Sequence, residues 1–239
     1  MEFSDVSRFV AATAPEPDAL AREMDAHAEE MGFPHVGPAV GGTLRMLARM
    51  VDAERVFEFG SGFGYSAYWF AQALPADGEV VLTEFDADEL EDAREFMTRG
   101  GYDHLTSYEH GDAMDAIERY DGPFDVVLID HQKERYADAF HAVREKVPEG
   151  GVVVADNAMT AGIVDFDALL AHFADDDDGS ADPDGSADPD GDALANASDA
   201  TRGIAEYLHT VRDDDAFETV VLPLGEGIAV SYRTEGGPE

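Results

Sequence analysis

Residues 55–66 read RVFEFGSGFGYS, an apolar run broken by Gly60, Gly62 and Gly64, and residues 65–74, YSAYWFAQAL, continue with an amphipathic pattern. A short strand feeding a glycine-rich turn and then a helix is the opening unit of a parallel sheet, because a parallel neighbour can be reached only by a crossover. The glycines let the backbone pass close to a ligand, and a helix starting there presents free N–H groups and a positive dipole end to an anion. A GxGxxG dinucleotide fingerprint needs a small residue where Tyr65 stands, which disfavours an NAD-dependent oxidoreductase.

The same alternation extends outward. Further strands are predicted over 80–86 (VVLTEFD), 106–112 (TSYEHGD), 124–130 (FDVVLID) and 150–156 (GGVVVAD), with helical patterns such as 135–147 between them. Val-rich runs separated by helices indicate a sheet covered on both faces. Ahead of the first strand, Leu20, Met24, Ala28 and Met31 mark a helix over 16–31, and 42–52 carries a second, joined by GFPHVGPAVG. After a helix over 201–212, FETVVLPL and GIAVSYR flank the short turn GEG, which predicts an antiparallel hairpin at the sheet edge. The expectation is an α/β fold in one domain spanning 1–239: a mainly parallel seven-stranded sheet closed by a C-terminal hairpin, preceded by N-terminal helices in 1–52. Residues 175–200 hold ten Asp, no Lys or Arg, and GSADPD twice in tandem, a composition that predicts a disordered insertion. The repeat spacing matches neither an EF-hand loop nor a GGxGxD calcium repeat.

Composition narrows the partners. The 239 residues carry 53 Asp and Glu against 15 Lys and Arg, a formal net charge of −38, so nucleic acid and anionic membranes are excluded as main partners. Hydrophobic residues still make up 44% of the chain, enough for a sizeable core. Of the cations thirteen are Arg, and only Lys133 and Lys146 are Lys. Acidic excess with lysine depletion points to a chain adapted to concentrated salt, where a Debye length of about 3 Å screens self-repulsion. The absence of cysteine removes disulfides, thiolate metal sites and Cys nucleophiles. The N-terminus lacks a secretory pattern and no run reaches the ~18 apolar residues of a membrane span, so a cytoplasmic location is expected. The oligomeric state is left open.

Chemistry-bearing residues fall at strand ends. Glu84 closes the second strand, where a carboxylate can accept hydrogen bonds from ribose hydroxyls, and Asp112 with Ala113 follows the third, where Asp112 either meets an adenine amine or caps a helix. Asp130 ends the fourth strand and Asp156-Asn157 the fifth; two carboxylates and a carboxamide oxygen form a hard half-site suited to Mg²⁺ or another divalent cation. Lys133 lies three residues after Asp130, a rare residue type in this chain. His131 is read as packing beside the site, Trp69 and Phe70 as core, and Tyr136 as equally able to pack on the sheet.

The E-x-G-x-G-x-G pattern of Glu58 to Gly64 resembles motif I of S-adenosylmethionine-dependent methyltransferases, and the five alternating units closed by a hairpin resemble their Rossmann-like class I fold. IDHQKERY (129–136) followed by ADN (155–157) is similar to the divalent-metal-dependent O-methyltransferases, catechol O-methyltransferases above all, and the likeness spans nearly the whole chain. This resemblance implies S-adenosylmethionine as cofactor, an aromatic vicinal diol as the small-molecule acceptor, Asp130, Asp156 and Asn157 as metal ligands, and Lys133 as the catalytic lysine. It places Val36, Glu58, Ser66 and Glu84 at cofactor positions beside Gly60, Gly62, Gly64, Asp112, Ala113 and Asp130. It also assigns Glu206 to the substrate's second hydroxyl. The chain departs from the animal catechol enzymes at Gln132, where they carry an aromatic, and at Val40, which replaces a polar residue. Chelation of a phenol by a divalent cation stabilises its anion. Lys133 then either accepts the proton or assists as a charge.

Overall fold

The computed structural model describes residues 3–177 and 193–234. Three helices open the chain: α1 (Phe3–Thr13), α2 (Ala19–Met31) and α3 (Gly37–Met50). The alternating body follows as β1 (Arg55–Phe59), α4 (Tyr65–Ala71), β2 (Glu79–Glu84), α5 (Ala87–Gly100), β3 (Thr106–His110), α6 (Ala113–Ile117), β4 (Val126–Ile129), α7 (Tyr136–Val143), β5 (Val152–Ala155) and α8 (Phe166–Asp177). It closes with α9 (Asp199–Arg212), β6 (Phe217–Leu222) and β7 (Ile228–Arg233). The seven-stranded sheet has the order β3-β2-β1-β4-β5-β7-β6, parallel from β3 to β5, with β7 antiparallel to both β5 and β6. The expected α/β class, parallel body and terminal hairpin are all present. Among the described residues no helix is long and apolar enough to cross a membrane.

Period-two alternation sends each buried strand into two cores. Val56, Val80, Leu82, Val126, Leu128, Val152 and Val154 face α2–α5, while Phe57, Phe59, Val81, Val127, Ile129, Val153 and Ala155 face α6, α7 and α9. Fifty-odd apolar side chains buried on both sides give the sheet a rigid frame, so its loops can be placed accurately at its carboxyl edge.

Several boundaries differ from the sequence-based expectation. α3 begins at Gly37, not 42, because Pro38 suits a first helical turn, where an N–H has no intrahelical partner. The strand expected over 106–112 stops at His110, since Asp112 turns away to cap α6 by accepting from the Met114 N–H. α1 and α8 were not anticipated. Of the 175–200 segment, residues 178–192 lie outside the described residues; 175–177 complete α8, and Ser198 caps α9 by accepting from the Thr201 N–H, with Ala200 already buried. The described chain thus enters that segment as helix from both sides.

Strand order reverses direction at β1, which lies between β2 and β4. In an open α/β sheet that reversal opens a crevice beyond the strand carboxyl ends. The ladder runs into it: the Asp130 N–H bonds Phe59 O at 2.8 Å, and the Asp156 N–H bonds Ile129 O at 3.1 Å.

Candidate active site

A cleft of about 990 Å³ opens at this edge, large enough for a nucleoside-sized molecule beside a second small one. Its floor is the loop after β1, where Gly60, Gly62 and Gly64 all have positive φ. A Cβ on Gly60 would stand 2.4 Å from Asp130 O, so the ends of β1 and β4 approach only because that side chain is missing, and one on Gly62 would stand 2.8 Å from the Phe33 ring, in the segment between α2 and α3. Gly64 is the N-cap of α4 and packs against α5 at Ala93, outside the cleft. The loop is tied to β2: Glu84 Oε2 accepts from the Gly62 N–H at 2.9 Å, while its Oε1 accepts from the N–H groups of Phe85 and Asp86. Three backbone donors leave lone-pair capacity on Glu84 for a ligand hydroxyl.

Of the residues the sequence assigned to the cofactor, Val36, Gly60, Gly62, Ser66, Glu84, Asp112, Ala113 and Asp130 line this cleft. Glu58 does not. It is fully buried beneath the loop with both carboxylate oxygens unpartnered. Burial pushes its pKa up to about 8, with Asp130 adding to the rise and the hydroxyls of Ser66 and Ser61 opposing it. Asp112 reaches the cleft, but its Oδ1 caps α6 and its Oδ2 accepts from Arg135 Nη1 at 3.0 Å, which holds its carboxyl below the usual range. The helix-capping alternative is therefore the one its hydrogen bonds express.

On the other side of Gly60 stand the acids and the lysine. Lys133 Nζ lies 3.1 Å from Asp130 Oδ1, 3.2 Å from the His131 carbonyl and 2.8 Å from the Tyr136 hydroxyl. Asp156 is 4% exposed and its Oδ1 is buried without a partner. Burial, then the negative charge of Asp130, push its carboxyl well above the usual range. Asn157 holds a left-handed φ of 57°, a conformation Asn tolerates better than most residues. It donates Nδ2 to Glu226 Oε2 at 2.6 Å, leaving Oδ1 as its remaining acceptor. Among the described residues no three His, Cys, Asp or Glu side chains gather as a metal centre. Two carboxylates and one carboxamide do gather here, and the orphaned Asp156 oxygen is what a hard cation would satisfy.

Glu206 stands apart. It lies on the exposed face of α9, opposite Ile204, Ala205, Tyr207 and Leu208, and it does not line the cleft. The helical period that buries its neighbours turns it to solvent, so the expected contact with a substrate hydroxyl is corrected here. Two participants, Glu226 and His35, escaped the sequence reading, and a third, Tyr136, was read there as equally able to pack on the sheet. Glu226, in the β6–β7 turn, reaches Asn157 across a separation of 69 residues. His35 joins the cleft wall, held by Asp25 Oδ1 at 2.9 Å and edge-on to Tyr65. Tyr136 is buried under the lysine. Only the tyrosine carried a signal, its spacing from Lys133. His131, read as packing, stacks on Tyr136 and meets Phe59; burial, then the nearby Arg135 and Lys133, lower its pKa to about 4, so it is neutral.

Comparison with known proteins converges on one group. A family model described as O-methyltransferase matches residues 14–234. A catechol O-methyltransferase of Niastella koreensis is 33% identical over 155 residues, covering 62% of this chain and 70% of that protein. Tricin synthase 1 of Oryza sativa subsp. japonica is 31% identical over 130 residues, 51% of this chain and 52% of that one. In fold, the O-methyltransferase TomG of Streptomyces achromogenes superposes with a TM-score of 0.75 at 22% identity, over 98% of this chain and 100% of its own. With a sheet, a glycine loop and a strand-end acid pair of this kind, and a family match over nearly its whole length, the chain belongs to the O-methyltransferase family and is a methyltransferase enzyme.

Proposed function

We propose that the protein transfers the methyl group of S-adenosylmethionine to one hydroxyl of an aromatic vicinal diol, with Mg²⁺ or another divalent cation held by Asp130, Asp156 and Asn157. The observation that carries this reading is the convergence of Asp130, the orphaned oxygen of Asp156 and Lys133 Nζ at the edge of one cleft. The names of relatives support its parts: the Niastella protein is a catechol O-methyltransferase, the TomG structure is a complex with SAM, and a Bacillus cereus O-methyltransferase of the same fold was solved with SAH.

The chain's own residues divide the work. Gly60 and Gly62 open room for the methyl donor beside Asp130, and Glu84 offers its spare acceptor capacity to ribose hydroxyls. A divalent cation bound at the acids supplies Lewis-acid charge that lowers the pKa of a phenol. Lys133 Nζ, 3.1 Å from Asp130 Oδ1, either assists the developing phenolate as a charge or, once it has released one of its own protons, takes up the phenolic proton. Because the sulfonium is an activated donor, positioning the acceptor oxygen in line with the methyl supplies most of the remaining rate enhancement.

The test is methyl transfer to a panel of diphenols in concentrated KCl, with EDTA and after Mg²⁺ is restored. Activity on catechol that is lost under chelation and recovered with Mg²⁺ is expected. Undiminished turnover in EDTA would exclude the metal role of the three ligands, and transfer only to monophenols would exclude the diol.

A further inference from the structure

We propose that Tyr136 is a positioning residue for Lys133: its buried hydroxyl fixes the lysine nitrogen at the site's edge and ties it to the strand that carries Asp156. This rests on the methyltransferase reading above. The hydrogen-bond polarity is determined by what each atom can do. The carbonyl of Asp156 can only accept, so the Tyr136 hydroxyl, 3.2 Å away, must donate to it. With its proton spent there, the phenol oxygen presents only lone pairs to Lys133 Nζ at 2.8 Å, and the lysine is the donor in that bond. Nζ also donates to the His131 carbonyl at 3.2 Å and to Asp130 Oδ1 at 3.1 Å. Asp130 and His131 both belong to the cleft lining, and Tyr136 alone anchors the lysine from behind it. Tyr136 itself is fully buried, with its ring stacked on His131 and edge-on to Tyr207, so the hydroxyl cannot swing away.

The bridge therefore joins two strand ends through one oxygen. Lys133 follows β4, Asp156 follows β5, and the Tyr136 hydroxyl is the atom bonded to both segments. The lysine's flexible four-carbon stem gives it many rotamers, and losing the shortest of its three hydrogen bonds frees it to leave the cleft edge.

A double-mutant cycle tests this with catechol as acceptor, in concentrated KCl with Mg²⁺. Y136F is expected to lower kcat about tenfold or more, while the catechol KM and the calorimetric affinity for S-adenosylmethionine stay within about twofold. In a K133M background, where residual turnover no longer uses the lysine, adding Y136F is expected to change kcat by less than about twofold. If Y136F slows K133M by the factor it imposes on the wild type, Tyr136 acts through general structure and the proposal fails. Wild-type kcat in Y136F would also overturn it. Should Y136F not fold, 3-fluorotyrosine at 136 keeps the ring and the hydroxyl but weakens the oxygen as an acceptor; an unchanged kcat there refutes the proposal. Absence of any diphenol methylation by the wild type would instead sink the functional reading, a separate outcome.

Discussion

Glu58 sits fully buried beneath the glycine loop, near the hydroxyls of Ser61 and Ser66 but with neither carboxylate oxygen hydrogen-bonded, so it carries a cost that depends on pH. Its carboxyl is pushed up to about 8 in the fold from an ordinary 4.5. Between those values the folded state holds a proton the unfolded chain has released, so the contribution of this group to stability is greatest below about 4.5 and is lost as pH rises through about 8. The slope is roughly 1.4 kcal/mol per pH unit across that window. Glu58→Gln is expected to flatten it: the variant and wild type should melt alike near pH 4.5 and diverge at pH 9 with the variant the more stable, as read by thermal melts of unliganded protein. A parallel pair of curves would show that Glu58 is not protonated in the fold. At this scale the sequence exposed the residues whose rarity or position marks them, Lys133 and the strand-end acids. It could not expose Glu226 or the placement of Glu206, because one is brought in by a distant turn and the other is turned away by the phase of a helix that follows the acidic segment.

The contact of α9 with the short turn Lys133–Arg135 shows how an element governs the site. A Cβ on Gly203 would lie 2.5 Å from the Glu134 Cα and 2.5 Å from the Lys133 carbonyl, so the helix touches the backbone that carries the lysine. Gly203→Ala must push that turn outward; a loss of about 1–3 kcal/mol in stability is expected, typical of overpacking, together with reduced turnover. Equal activity and melting temperature in the alanine variant would show that the turn has slack. The elements themselves were largely legible, since β4 and β5 are Val-rich and β1 carries Val56, Phe57 and Phe59, all buried on both faces of the sheet. α1 was not, for its residues offer a mixed pattern with no cap signal, and the start of α3 was hidden because glycine and proline usually punctuate loops.

Across the whole molecule the −38 charge is spread over the folded body, since only ten of the acids lie in 175–200. The arginines are mostly paired, among them Arg55 with Glu79, Arg144 with Asp214 and Arg99 with Glu23. Cations are too few to pair the rest, so among the described residues the exposed acids meet water and salt, while Glu58 and Asp156 are buried. Lys146, the other lysine, donates to the carbonyls of Ile117 and Tyr120, so both lysines serve inward contacts and not surface charge. Melting temperature is expected to rise with KCl in the full chain and equally in a variant lacking 178–192; a deletion variant as stable without salt as with it would place the repulsion in that segment instead. The hairpin adds a consequence of a different kind. The Glu226 carbonyl accepts from the N–H groups of Met159 and Thr160, the Gly227 carbonyl accepts from Ala158, and the Glu226 side chain holds Asn157. A segment made of β1 through β5 therefore has its glycine loop but no seat for Asn157, and fraying of the β6–β7 turn, 69 residues further along the chain, would open the site without disturbing the parallel strands.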